Sequence, residues 1–228
     1  MDKLVESLME ELNCNTVFTI PLFGGIDVLE SVVVTWIIMA VLVIVAFILT
    51  RNLKVDHISK RQAVAESIVT GLMNMVQGMV GEKGRKYVPY LTTVMLYIGV
   101  SNIIGLFGFK SPTKDLRVTV ALALMSIILI EAAGIYHKGV KRWLHGFVEP
   151  VAIVTPINIL EVVTKPLSLC MRLFGNVLGA FVIMELLKMI LPVGLPVVFS
   201  LYFDIFDGLL QAYVFVFLTS LYIDEITE

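Results

Sequence analysis

Charge is scarce in this chain. Only 16% of its 228 residues are Asp, Glu, Lys or Arg, against 58% that are hydrophobic, and the mean hydropathy is +0.92. That excludes a soluble domain, whose surface needs more polar side chains to stay in solution. A basic excess is also missing: the formal net charge of -2 leaves no footprint for nucleic acid. Cysteine is limited to Cys14 and Cys170, too few for a disulfide framework. The histidines His57, His137 and His145 lack metal-ligand spacing and are expected at surfaces, so no metal or cofactor site is expected. Gly81-Glu82-Lys83-Gly84-Arg85-Lys86 has neither the spacing of a phosphate loop nor a preceding strand, which leaves no nucleotide site. There is no internal repeat or low-complexity tract. Residues 1–13 are acidic and lack the basic start of a cleavable signal peptide.

What is present is a series of long apolar runs. Glu30 and Arg51 bracket twenty uncharged residues, and Lys86 and Lys110 bracket twenty-three, each enough to span a bilayer as a helix. These are spans 31–50 and 87–109. A third, 118–136, carries one acid, Glu131, which admits snorkelling, pairing with another helix or an ion-path role. Apolar sequence then runs over 151–191, about 60 Å long as one helix, so it must tilt, kink or lie along the membrane, with Pro156 and Pro166 as the expected breaks. Leu191-Pro192-Val193-Gly194-Leu195-Pro196 reads as a turn, and 197–223 as a last tilted span. In 57–80, Ser59, Glu66, Thr70, Asn74 and Gln77 lie opposite Ile68, Leu72, Met75, Val76 and Met79, the pattern of an amphipathic helix on the membrane surface. The expected fold is all-α: a single polytopic membrane domain over 1–228, with an outer tail 1–30, about five crossings, one interfacial helix and a long tilted C-terminal helix hairpin.

Orientation follows from Lys and Arg in short loops. The first thirty residues hold six acids against Lys3, whereas Arg51, Lys54, Lys60, Arg61, Lys83, Arg85 and Lys86 follow the first span. Lys138, Lys141 and Arg142 follow the third, and outvote Lys110, Lys114 and Arg117 in the preceding loop. The N-terminus is expected outside, the C-terminus in the cytoplasm, and the chain in the cell membrane. Cys14 is then extracytoplasmic and Cys170 mid-membrane, too far apart for a disulfide.

One residue stands out in this setting. Arg172 lies in an almost wholly apolar stretch, where an arginine costs roughly 2.5–3.5 kcal/mol on insertion scales. With about 100° per residue, Glu161, Lys165, Ser168, Asn176 and Gly179 fall on its side of the helix. On the last span, Ser200, Asp204 and Asp207 fall on the side of Gln211. An arginine keeps its proton and acts as a fixed positive charge, while Asp204 and Asp207 can exchange protons or coordinate a cation along a hydrated path. Both aspartates also suit ordinary solvated acids near the outer surface. Glu185 and Lys188, three residues apart, read as a local ion pair, with Glu185 a further ion-path candidate. Gly175 and Gly179 allow close helix approach.

The run Lys165-Pro166-Leu167-Ser168-Leu169-Cys170-Met171-Arg172-Leu173-Phe174-Gly175-Asn176, followed by Leu210-Gln211-Ala212-Tyr213-Val214-Phe215, closely resembles subunit a of bacterial F-type ATP synthases. Ser111-Pro112-Thr113-Lys114-Asp115-Leu116-Arg117-Val118-Thr119 and Phe147-Val148-Glu149-Pro150 extend the resemblance, which runs from about Tyr90 to Tyr222. It implies an ion-conducting stator beside a rotating ring of c subunits, each with a mid-membrane carboxylate. Two half-channels would reach the ring, with Arg172 between them, essential for translocation of a proton or sodium ion. Asn176 and Gln211 match polar positions of the same contact. Peripheral stalk b subunits and the other synthase subunits would be partners, and phosphoryl chemistry would belong to the complex. Many members carry a glutamate nine residues after the arginine, where this chain has Phe181, and some a histidine seven before the glutamine, where it has Asp204. Two other readings of the residues remain: a stand-alone secondary transporter or channel with Arg172 as an anion-binding residue, and a non-conducting scaffold.

Overall fold

The computed structural model describes residues 16–20, 26–51, 59–107, 109, 111–148, 152–190 and 199–227. Cys14, His57, Lys110, Glu149, Pro150 and the expected turn 191–196 lie outside the described residues.

The expected tail holds a small antiparallel hairpin, β1 (Thr16–Ile20) paired with β2 (Ile26–Leu29). The strands are rich in β-branched residues, and Thr19 Oγ1 donates to Asp27 Oδ1 across the pair at 2.7 Å. Helix α1 (Glu30–Thr50) follows directly. It buries only Ser31, Val34 and Ile38, all near its start, and leaves the remainder as an apolar surface suited to lipid.

Helix α2 (Lys60–Met79) opens on a serine cap, with the Gln62 backbone N–H donating to Ser59 Oγ at 3.3 Å. It is followed by a 3-10 turn (Glu82–Tyr87) and α3 (Val88–Ile103), with Pro89 in the first turn where its missing N–H costs nothing. A 3-10 stretch (Ile104–Phe107) and a further 3-10 turn (Pro112–Lys114) lead to α4 (Leu116–Lys138), capped by the Asp115 carboxylate. Gly139, with φ +76°, supplies the left-handed residue that turns the chain from α4 into the short α5 (Val140–Gly146).

Helix α6 (Thr155–Ile190) is unbroken over 36 residues, about 54 Å at the usual rise. Pro156 lies in its first turn, and the expected break at Pro166 does not occur. Proline at 166 removes one hydrogen bond, to the Val162 carbonyl, and packing against neighbouring helices makes that loss tolerable in a membrane helix. The final span starts at Phe199, passes through a π-helical segment (Tyr202–Asp207) and continues as α7 (Gly208–Thr227).

Among the described residues, five helical segments are long and apolar enough to cross a membrane; α2 is not one of them. The chain is an all-α polytopic membrane protein. Helices α3, α4, α6 and α7 share one apolar core that includes Leu91, Ile98, Ile130, Leu173, Phe215 and Ile223. α3 and α7 meet at Gly208, whose carbonyl accepts from Asn102 Nδ2 at 2.9 Å. A Cβ at 208 would stand 2.8 Å from Asn102 Cβ. Gly208→Ala should therefore force the helices apart and cost about 1–3 kcal/mol. A lowered thermal midpoint of the solubilised protein checks it, and an unchanged midpoint would mean that this contact yields freely.

Candidate ion-path site

The core-facing side of α6 carries Leu169, Cys170 and Leu173, all buried, which leaves Arg172 about 100° round the helix from that side, on its flank. Arg172 is exposed on the outer face of the bundle, and among the described residues it makes no ion pair or hydrogen bond. Ser168, Gly175 and Asn176 share that exposed face. Among the described residues, no atom of a neighbouring helix comes within 4 Å of where a Cβ would stand on Gly175 or Gly179. The close packing expected of these glycines is thus not made among them. Arg172 sits on a smooth, open strip.

One turn along, Asn176 Nδ2 donates to Gln211 Oε1 at 2.6 Å, which joins α6 to α7. Gln211 is buried, and among the described residues its Nε2 has no hydrogen-bond partner. A buried amide donor left open is costly unless something fills it.

Asp204 and Asp207 are half-buried and lie in the π-helical segment. The wider π turn breaks the 100° step that aligned Ser200, Asp204 and Asp207 with Gln211. Ser200 and Asp204 nevertheless remain neighbours, with Ser200 Oγ donating to Asp204 Oδ2 at 2.7 Å. Asp204 faces the end of α3, where its Oδ1 lies 3.5 Å from the Cβ position of Gly105. Phe181 has Lys114 Nζ over its ring, 5.0 Å from the centroid. Glu185 is half-buried and engaged with another group, while the Lys188 side chain lies outside the described residues.

Sequence reasoning missed a buried hydroxyl network at the hairpin end of the bundle. Ser111 Oγ donates to the Ser101 carbonyl at 2.6 Å and lies 2.7 Å from Thr113 Oγ1, which donates to Asn102 Oδ1 at 2.7 Å. Ser31 donates to the Asp115 carboxylate, tying α1 to the start of α4. The available signal was the pair Ser101-Asn102 inside an otherwise apolar run. His137, expected at the surface, is half-buried between Tyr87 and Tyr136, because the end of α4 packs on the turn before α3. Cys170 is buried with a free thiol. Among the described residues, no group of three or more His, Cys, Asp or Glu could hold a metal ion.

The family described as ATP synthase A chain matches residues 32–224. Subunit a of the ATP synthase of Moorella thermoacetica is 35% identical over 202 residues, 88% of this chain and 91% of its own length. Subunit a 1 of Crocosphaera subtropica is 30% identical over 200 residues, 87% of this chain and 86% of its own. A subunit a described as sodium ion specific, from Propionigenium modestum, is 34% identical over 215 residues, 87% of this chain and 74% of its own.

Proposed function

The chain belongs to the ATP synthase A chain family, and from that premise we propose that it is the ion-conducting stator subunit in which Arg172 meets the carboxylates of a rotating c-subunit ring. As an ATP synthase subunit a it works with the other subunits of that complex. The ring, the peripheral stalk b subunits, the cell-membrane location and an outside N-terminus with an inside C-terminus are part of the proposal. The observation that carries it is the exposed, unpaired Arg172 on a strip kept smooth by Gly175 and Gly179. A guanidinium facing outward from an apolar helix needs an opposite charge, and among the described residues this chain supplies none. A carboxylate brought to ~4 Å at an effective dielectric of ~20 would be attracted by roughly 4 kcal/mol, which offsets the insertion cost of the arginine.

In this reading each ring acid is held ionised as it passes Arg172, so an ion cannot ride straight from one side to the other. Asn176 and Gln211 brace the face behind it. The open Nε2 of Gln211 is a donor for the ring carboxylate or a channel water. Asp204, Asp207 and Glu185 line the half-path at the hairpin end, with Ser168 on the arginine strip. Arg172 on the outside of the bundle weighs against a stand-alone transporter, whose substrate site belongs between its own helices.

Cross-linking tests the face. A cysteine at Gly175 should form disulfides with cysteines on the acid-bearing helix of the ring, whereas one at Ile128, exposed on α4, should not. Reaction at 128 without reaction at 175 would put the ring on another side.

A further inference from the structure

We propose that a cavity at the far end of the bundle from the hairpin is an inner proton-exchange vestibule, and that Glu131 is its working carboxylate. The proposal rests on the stator reading and adds to it a residue outside the motif around Arg172. The cavity, of about 370 Å³, has Glu131, Trp143, Asn158, Glu161, Lys165 and Glu225 in its wall. It is polar and roomy enough for several waters.

Glu131 lies seven residues before Lys138, about 10 Å inside the end of α4. A carboxylate at that depth is costly, and here it turns into the cavity rather than toward lipid. Its partner is a neutral one: Trp143 Nε1 donates to Glu131 Oε2 at 2.9 Å. The other two acids differ. Lys165 Nζ stands 3.5 Å from Glu161 and 3.1 Å from Glu225, so both are tied to one ammonium. Lys138 and Arg142 also face the cavity, from α4 and α5, and neither is ion-paired with Glu131. Of the three carboxylates, Glu131 alone can take up and release a proton without breaking an ion pair. Three cationic groups in the same wall disfavour a resident metal cation but do not hinder a proton arriving on water.

The location fits a route from the ring. Lys165 and Glu161 precede Arg172 by seven and eleven residues on α6, about 10 and 16 Å along its axis, a distance that a short chain of waters covers. A proton leaving a ring carboxylate on that side of Arg172 passes to cavity water, to Glu131 and out past Lys138 and Arg142. Nothing is oxidised or reduced; one O–H bond forms on Glu131 as another breaks on water.

The test uses the assembled complex in inverted vesicles, with ATP-driven proton uptake read across neutral and alkaline pH. Glu131→Gln keeps an acceptor oxygen for the Trp143 N–H, so a role confined to fastening α5 to α4 survives, whereas proton exchange does not. Uptake should fall at least about tenfold. Glu131→Asp should recover most of it with a displaced pH profile. Unaltered uptake in Glu131→Gln overturns the proposal, as does a Glu131→Asp complex as slow as Glu131→Gln, which would mean a fastening role. Sodium pumping without proton uptake in the unaltered complex overturns it too. Should Glu131→Gln fail to assemble, a cysteine at Val162, in a background with Cys14 and Cys170 replaced by serine, reports on the water. Reaction with a small impermeant thiol reagent from the cytoplasmic side, slowing uptake, is the expected result; no reaction overturns the vestibule. Arg172→Ala is measured alongside: continued coupling there would sink the stator reading itself, and normal uptake by Glu131→Gln sinks only the relay.

Discussion

Arg172→Ala is expected to assemble with the remaining subunits and to lose coupled ATP synthesis and ATP-driven pumping altogether. Assembly should survive because, among the described residues, the side chain is exposed and makes no hydrogen bond or ion pair: Leu169, Cys170 and Leu173 are the buried residues of that turn, and all three stay. Coupling should fail because roughly 4 kcal/mol of attraction for a ring carboxylate disappears, about a thousandfold in any equilibrium or barrier it controls. Arg172→Lys separates charge from chemistry. A lysine restores a cation at the same place but is a point charge that loses its proton more readily and lacks the planar fork that grips a carboxylate. It should support little coupling and an increased leak. Reconstituted vesicles driven by an imposed ion gradient give the answer, and synthesis by the alanine variant near the unaltered rate would remove Arg172 from the mechanism.

The apolar runs were legible because the bilayer demands about twenty residues free of charge and this chain places its charges at the ends of such runs. Arg172 was legible for the same reason, as an exception to that demand. Its direction was not. A helical wheel gives the relative bearing of Arg172, Ser168 and Asn176, but only the burial of Leu169 and Leu173 in the shared core tells which bearing faces inward. The continuous path of α6 through Pro166 was hidden because the local cost of proline is visible in sequence and the compensation from neighbouring helices is not. The π segment Tyr202–Asp207 leaves no clear compositional trace, and it alters the alignment of Ser200, Asp204 and Asp207 with Gln211, which depends on a uniform 100° step. Contacts between distant residues, such as Trp143 with Glu131 and Lys165 with Glu225, depend on tertiary arrangement and had no sequence signature at all.

The second large effect is expected at Asp204. The family resemblance implies a glutamate on the helix of the arginine, at the position of Phe181; in the proposed path its place is taken by Asp204 on the next helix, in a π turn, a local geometry common at functional sites. Asp204→Asn keeps an oxygen to accept from Ser200 Oγ, so the turn should hold its shape while proton exchange is lost. Ion flux through the assembled complex should fall by roughly a hundredfold, the lower end for removal of an exchanging group. Adding Phe181→Glu to that variant should return only part of the flux. Lys114 Nζ stands 5.0 Å from the centre of the Phe181 ring, so a glutamate there would meet an ammonium that holds it ionised. Lys114→Gln in the same background should release the new acid and raise the flux further. Normal conduction by the single Asp204→Asn complex would move the path away from this residue, to Asp207 or Glu185. Equal flux with and without the Lys114 substitution would mean that position 181 does not reach the same water.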